Sequence, residues 1–342
     1  MGERPRVAVV GAGSWGTAFA CIPALNGSEV VLWARRQELA DTIVSERHNP
    51  DYLEGVELPR SLTATHDIEK AVSGANVVVV AVPSHAFRSV FADVAPHLGR
   101  DAPVVSLTKG IEQDSLMRMS ELVREVGDLP EDRVAVVSGP NLAREISKRQ
   151  PSASVVACVD ERRAEALQDA FMAPYFRVYV NPDVVGVELG GAFKNVIALA
   201  AGMGDGMGFG DNSKATLITR GLAELARLGK QMGGNPLTFA GLAGMGDLIA
   251  TCTSPLSRNR YVGEELGKGR SLEEIVAETK MVAEGIKTSR AVVRLAEKLD
   301  VDVPIAEHVC RVIYDGMSPQ DMVRSLMERE ARPELEGIDD DA

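Results

Sequence analysis

The sequence has only four cysteines and five histidines in 342 residues, and neither type is clustered. Cys21, Cys158, Cys252 and Cys310 are far apart, with no CxxC pair and no histidine group beside them. That spacing argues against a zinc site or a disulfide framework and leaves them as reduced, mostly buried small hydrophobes. Positive charge is also short: 37 Lys and Arg against 49 Asp and Glu give a net charge of −12. General affinity for nucleic acid is thereby excluded, and any anionic ligand must be held by a local basic pocket. No long uninterrupted apolar segment suggests a membrane span. The apolar N-terminal stretch is broken by Gly11, Gly13 and Gly16, and no convincing cleavage site follows it. There is no internal repeat and no low-complexity linker. What remains is an ordinary globular composition, long enough for two domains with full cores and expected in the cytoplasm.

The first half of the chain alternates strands with helices. Continuous β-branched runs occur at Arg6–Val10, Glu29–Trp33, Asn76–Val82, Pro103–Leu107, Arg133–Val137, Ser152–Ala157 and Phe176–Val180. Such runs are typical of strands covered on both faces, hence of a mainly parallel sheet. Helical patterns lie between them, for example Asp114–Val126 and Asp160–Phe171. This grammar predicts an α/β fold, with an N-terminal Rossmann-like doubly wound sheet over residues 1–182. Pro182 breaks the last strand and Asp183 is a suitable N-cap. From there only long helical patterns and glycine-rich turns follow, giving an all-α substrate-binding domain over 183–330. Residues 331–342, Ala-Arg-Pro-Glu-Leu-Glu-Gly-Ile-Asp-Asp-Asp-Ala, are acidic and read as a disordered tail. The two domains are expected to pack closely around a cleft, with the chemistry beyond the carboxyl ends of the strands.

The opening carries the clearest motif. The strand Arg6–Val10 runs directly into Gly11-Ala-Gly13-Ser14-Trp15-Gly16 and then a small-residue helix. Strand before and helix after are the context in which GxGxxG binds a dinucleotide. Gly11 permits the tight turn, Gly13 lets the backbone approach a pyrophosphate, and Gly16 lets helix and strand pack closely. The helix N-terminus offers its unpaired N–H groups to the phosphates. The second strand ends in Ala34-Arg35-Arg36, where an NAD enzyme usually carries an acidic residue. Two guanidinium groups suit a 2′-phosphate, which favours NADP(H), while Glu38 nearby leaves NAD(H) open.

Other strand ends carry polar residues. Pro83-Ser84-His85, Thr108-Lys109-Gly110 and Ser138-Gly139-Pro-Asn141 follow three of the runs. Lys109 is a cation at the sheet mouth that can meet a phosphate or a carbonyl oxygen, or is a surface lysine before a turn. His85 lies at a helix start, where a structural role outweighs proton transfer. In the second half, Lys194 is embedded in Glu188-Leu-Gly-Gly-Ala-Phe-Lys-Asn-Val-Ile. Burial of an ammonium is costly unless it is paired or loses its proton, and burial draws the amine toward neutrality, as an acid/base lysine requires. The structural alternative is a lysine that snorkels to the surface along its stem. Gly241–Leu248 places Asp247 on a tight, accessible backbone, where it can hold a hydroxyl or orient a lysine. Ser257, Arg258 and Asn259 supply hydroxyl, guanidinium and amide donors suited to a small phosphate ester. Gly202–Gly210 is either a mobile segment closing on substrate or a structural turn.

Taken together, GAGSWGTAFA, SLTKGIE, SGPNLAREI, ELGGAFKNVIALAAGMGDG, GLAGMGDLIATCTSPLSRNR and VAEGIKTSRA resemble the bacterial-type NAD(P)-dependent glycerol-3-phosphate dehydrogenases, in order and nearly to residue 325. The resemblance implies reduction of dihydroxyacetone phosphate to sn-glycerol 3-phosphate, feeding glycerophospholipid synthesis, in a cytoplasmic homodimer. It implies that Lys194 exchanges the proton at the substrate oxygen and that Lys109 contacts cofactor and substrate. Gly139, Asn141, Asp247, Ser257, Arg258 and Asn259 match substrate positions, although the family commonly has Ser or Thr in place of Asn141. Ser14, Trp15, Arg35, Arg36, Ala143, Arg258, Val282 and Glu284 match cofactor positions. In this scheme Lys194 protonates the oxygen after hydride reaches C2, and Lys109 stabilises the charge and depresses the Lys194 pKa. Arg258 and Asn259 anchor the phosphate, and no metal is called for. A hydroxyacyl dehydrogenase would need a His–Glu pair, which the Lys194 region lacks. A non-catalytic nucleotide sensor would not need the lysine and the Ser257-Arg258-Asn259 set.

Overall fold

The computed structural model describes residues 4–278, 283–334 and 336–338. The chain divides into two compact units, Met1–Lys109 with Arg118–Val184, and Gly110–Met117 with Val185–Ala342.

The first unit is built on one eight-stranded sheet. Its strands are β1 (Val7–Val10), β2 (Val30–Trp33), β3 (Leu62–Thr65), β4 (Val77–Val80), β5 (Val104–Ser106), β6 (Val134–Ser138), β7 (Ser152–Ala157) and β8 (Phe176–Asn181). Their order is β3-β2-β1-β4-β5-β6-β7-β8, and every neighbouring pair is parallel except β6–β7. Because the order reverses beside β1, the carboxyl ends of β1 and β4 flank a topological switch point, where open α/β sheets bind ligands. The register Val10↔Trp33 and Val10↔Val80 brings Gly11, Ala34 and Ala81 to one edge. Val7, Val9, Leu32, Val79 and Val105 are fully buried, and Phe19 packs edge-on against Phe171 at 4.8 Å.

Two differences from the sequence reading are local. The edge strand β3 was not expected: Leu62-Thr-Ala-Thr65 is short and buries only Leu62 fully, so it lacks the apolar run of its neighbours. The helix expected over Asp114–Val126 begins instead at Met119, with Arg118 at the N-cap and its amide donating to Glu121. Residues 110–117 form a turn, Leu116 taking φ +61°, that belongs to the second unit. Gln113 fixes it there, donating to the Lys287 carbonyl and accepting from Arg294.

The second unit contains helices and no strand among the described residues. Its axis is the helix Val184–Gly206, which is long and apolar enough to cross a membrane by length and composition, contrary to the sequence reading. It is a core helix all the same, with 89% of its most apolar window buried. The Gly202–Gly210 stretch is not a closing segment at its start, since Gly202 to Gly206 are helical. A Cβ at Gly202 would stand 2.0 Å from the Arg260 carbonyl oxygen, and one at Gly206 would stand 2.1 Å from that of Glu264. On the facing helix Arg258–Gly267, Gly263 and Gly267 meet the carbonyls of Leu199 and Met203 at 2.0 and 2.3 Å in the same way. Glycines at spacing four on both helices let the backbones touch, and that contact fixes Arg258–Gly267 against the helix that carries Lys194. Within the acidic C-terminal stretch expected to be disordered, described residues are docked. Ile338 packs on the core, and the carbonyls of Glu334 and Ile338 accept from Arg220 and Lys230.

Candidate active site

In the first unit the glycines divide by what requires them. Gly11 takes φ +121°, and a Cβ there would lie 2.6 Å from the Ala81 carbonyl oxygen. Gly16 sits so close to the strand that its Cβ would be 2.0 Å from the Gly11 oxygen. Both are demanded by the fold itself. Gly13, the N-cap of the helix Ser14–Leu25, would place a Cβ with nothing within 4 Å. The chain's own packing therefore does not explain Gly13, whereas a pyrophosphate lying on the turn would fill that cradle. Trp15 packs edge-on against Phe19 at 5.5 Å, and its Nε1 is buried with no hydrogen-bond partner among the described residues. These features fit a dinucleotide, whose pyrophosphate would lie on Gly13 and Ser14.

The turn is held by a residue that the sequence reading missed. Asn49 is fully buried and donates from Nδ2 to the Ala12 carbonyl and the Thr17 hydroxyl, both at 2.9 Å. Beyond β2 the two arginines differ. Arg35 is exposed with no carboxylate partner among the described residues, while Arg36 is ion-paired with Asp51. Asp51 raises the Arg36 pKa above its usual value.

Farther along the same sheet edge, Lys109 donates to the Gly139 carbonyl at 2.9 Å. Gly139 takes φ +144° and passes within 3.1 Å of the Ser154 Cα, as judged for an added Cβ. Ser154 donates to the Ser138 carbonyl at 2.9 Å and accepts from the Asn141 amide at 3.2 Å. That leaves Asn141 Oδ1 and Ser138 Oγ buried without partners among the described residues, two polar atoms suited to a ligand. Ala143 opens the short helix Ala143–Ser147. His85 is exposed in the first turn of the helix Ser84–Val94 and makes no hydrogen bond to this cluster among the described residues.

In the second unit Lys194 does not snorkel. It is 6% exposed, and its Nζ donates to Asp247 Oδ1 and, at 2.7 Å, to Thr251 Oγ1. The ammonium is thus paired, the alternative to losing its proton that burial leaves open. Asp247 is only 1% exposed, so the accessible backbone expected from its glycines is corrected. The cause is a π-helical turn, Leu242–Gly246, packed so tightly that a Cβ on Gly244 would meet the Phe239 carbonyl at 2.1 Å. This turn presses against Gly190, whose Cβ would meet the Ala243 oxygen at 2.5 Å, and aims Asp247 at Lys194. Thr251 went unnoticed in the sequence, although it lies one helical turn beyond Asp247. Its hydroxyl accepts from Lys194 and donates to the Asp247 carbonyl at 2.7 Å.

Ser257 caps the helix Arg258–Gly267, its hydroxyl accepting from the Arg260 amide at 3.2 Å. Burial draws the Arg258 guanidinium below its usual value, and the Glu284 carboxylate opposes that shift. Asn259 is more committed to structure than expected. Its Nδ2 donates to Asn195 Oδ1 and its Oδ1 accepts from the Gly285 amide, both at 2.9 Å, leaving one amide N–H for a ligand. Asn195, next to Lys194, was another omission. Glu284 opens the helix Glu284–Leu299, and Val282 lies outside the described residues.

Two family models match the chain, one in each half. Residues 6–164 match the N-terminus of NAD-dependent glycerol-3-phosphate dehydrogenase, and residues 183–324 match its C-terminus. A Streptomyces avermitilis protein named glycerol-3-phosphate dehydrogenase (NAD(P)+) is 55% identical, covering 98% of this chain and 99% of its own length. A Thermobifida fusca protein of the same name is 53% identical over 97% and 99%. The crystal structure of glycerol-3-phosphate dehydrogenase from Coxiella burnetii superposes with a TM-score of 0.90 at 37% identity, covering 95% of this chain and 99% of that one. On this evidence the chain belongs to the NAD-dependent glycerol-3-phosphate dehydrogenase family.

Proposed function

We propose that this chain reduces dihydroxyacetone phosphate to sn-glycerol 3-phosphate reversibly with NAD(P)H, and that Lys194 is its acid/base. One observation carries the residue assignment: a buried ammonium held by Asp247 and Thr251 in the unit that also presents Ser257, Arg258 and Asn259. When bound, the nicotinamide supplies the hydride that reaches C2 of the ketone. The Lys194 ammonium gives its proton to the carbonyl oxygen as negative charge grows there. Asp247 pairs with that ammonium in its buried setting, and the Thr251 hydroxyl accepts a second hydrogen bond from it. Arg258 and the remaining Asn259 amide N–H hold the substrate phosphate, so that the ketone is fixed rather than free to tumble. Lys109 adds a second positive charge toward cofactor and substrate, with Gly139 and Asn141 beside it. Gly11, Gly13, Ser14, Trp15, Gly16, Ala143, Val282 and Glu284 serve the cofactor, and Arg35 and Arg36 favour NADP(H) without barring NAD(H).

The domain assignment we propose follows that division of labour, with residues 1–182 for the dinucleotide, 183–330 for the substrate and 331–342 as the acidic tail. We place the enzyme in the cytoplasm as a homodimer, with no stable membrane insertion and no nucleic-acid partner, feeding glycerophospholipid synthesis. The test is absorbance at 340 nm on mixing protein, dihydroxyacetone phosphate and NADPH, then NADH, beside a Lys194→Ala variant. Rapid oxidation that collapses in the variant is expected. No oxidation with either cofactor, by folded protein that binds NADPH, would overturn the reading.

A further inference from the structure

The loop after the helix Gln37–Glu46 is tied to the dinucleotide turn at one end and to the arginine pair at the other. Its base is Asn49, fully buried and hydrogen-bonded to Ala12 and Thr17 at the glycine-rich turn. From that base the chain makes a tight reversal. The Leu53 amide donates to the Asn49 carbonyl at 3.0 Å, and the Tyr52 amide donates to Asn49 Oδ1 at 3.2 Å. Asp51 sits at the tip of the reversal and pairs with Arg36, the two side chains being 43% and 51% exposed. The carboxylate is therefore presented by a short turn fixed at its base rather than by a loose loop, and the pair is open to a ligand arriving from solvent.

The charges there bear on the cofactor. Arg35 and Arg36 bring two positive charges, and Asp51 and Glu38 both act on Arg36 with negative ones. Four unit charges of alternating sign sum to about zero, which is a poor match for a 2′-phosphate near −2 and no obstacle to a neutral ribose hydroxyl. We propose that Asp51 is a specificity-determining residue: held on the Asn49 turn, it occupies Arg36 and weakens the grip on a 2′-phosphate, so that NADH remains usable beside NADPH. A 2′-phosphate must compete with Asp51 for the Arg36 guanidinium, whereas NADH makes no such demand. The inference rests on reading Arg35 and Arg36 as the 2′-phosphate site.

Steady-state kinetics of Asp51→Asn and of Arg35→Ala/Arg36→Ala with each cofactor test it, alongside calorimetric titration with 2′,5′-ADP and 5′-ADP. Removing one like charge within several ångströms of a partly solvated phosphate changes affinity by roughly five- to tenfold. Asp51→Asn should therefore lower the NADPH KM and the 2′,5′-ADP Kd by about that factor, and leave NADH and 5′-ADP within about twofold. The gain should shrink in 0.5 M salt, where exposed charges are screened. If NADPH affinity is unchanged or falls in Asp51→Asn while the double arginine variant loses NADPH, the proposal is wrong and the arginine reading stands. An equal gain for both cofactors also overturns it, because the effect would not involve the 2′-phosphate. If the double arginine variant keeps full NADPH affinity, the arginine reading fails and takes the proposal with it.

Discussion

The two units put glycine and charge to different uses. In the sheet unit, Gly11 and Gly16 solve local problems of one strand–turn–helix connection, and Gly13 leaves room that no described residue fills. In the helical unit, Gly202, Gly206, Gly263 and Gly267 bring two whole helices into backbone contact. Charge follows the same contrast. The arginines beyond β2 are exposed, where pairing contributes little to stability. Lys194 and Asp247 are buried, where leaving either unpaired is expensive. One unit therefore keeps a general recognition device at its surface, and the other builds a specific chemical group into its core.

Variants can sharpen or break that contrast, and the largest effects belong to the buried charges. Lys194→Ala should lower kcat about 10²- to 10⁴-fold while the NADPH Kd, measured by fluorescence, stays within about threefold. Asp247→Ala should lower the stability of the helical unit by about 3–5 kcal/mol in urea titrations, because it strands a buried ammonium. The glycine contacts come next. Gly202→Ala, which drives a Cβ toward a backbone oxygen, should cost about 1–3 kcal/mol. Gly204→Ala, two residues along the same helix with its nearest neighbour 3.8 Å away, should be neutral or stabilising by up to about 1 kcal/mol. Equal losses at the two sites would contradict the packing argument.

A further effect, shallow per pH unit, belongs to the helical unit. Burial pushes the Glu224 carboxyl up to about 8, against the pull of the Ile305 and Ala306 amides that donate to it. Between about 4.5 and about 8 the folded chain therefore holds a proton that the unfolded chain has released. Stability should fall as pH rises through that window, by at most about 1.4 kcal/mol per pH unit. Urea midpoints read at several pH values should show this slope, and Glu224→Gln should flatten it.

How much of this was legible in the sequence also differs between the units. The sheet unit announces itself because each β-branched run and each glycine of the first turn obeys a local rule. Its omissions are the edge strand β3, too short and too polar to stand out, and Asn49, whose partners Ala12 and Thr17 precede it by more than thirty residues. In the helical unit, Lys194 attracted notice as a charge among apolar residues, but its partners Asp247 and Thr251 lie 53 and 57 residues away. Only the packed π-helical turn brings them together, and no periodicity encodes it. Asn259 looked like a phosphate donor, yet most of its hydrogen-bonding capacity ties Asn195 to Gly285. Arg36 looked like half of a phosphate grip, but the structure gives it a carboxylate partner.

In the proposed mechanism the helical unit supplies the proton through Lys194, while the sheet unit supplies the glycine-rich turn and the arginine pair for the cofactor. The most direct measurement is a single turnover: enzyme saturated with NADPH is mixed rapidly with dihydroxyacetone phosphate, and absorbance at 340 nm is followed for the wild type and Lys194→Ala. The variant should bind NADPH normally and oxidise it at least about 10² times more slowly. Oxidation by the variant at the wild-type rate would rule out Lys194 as the proton donor.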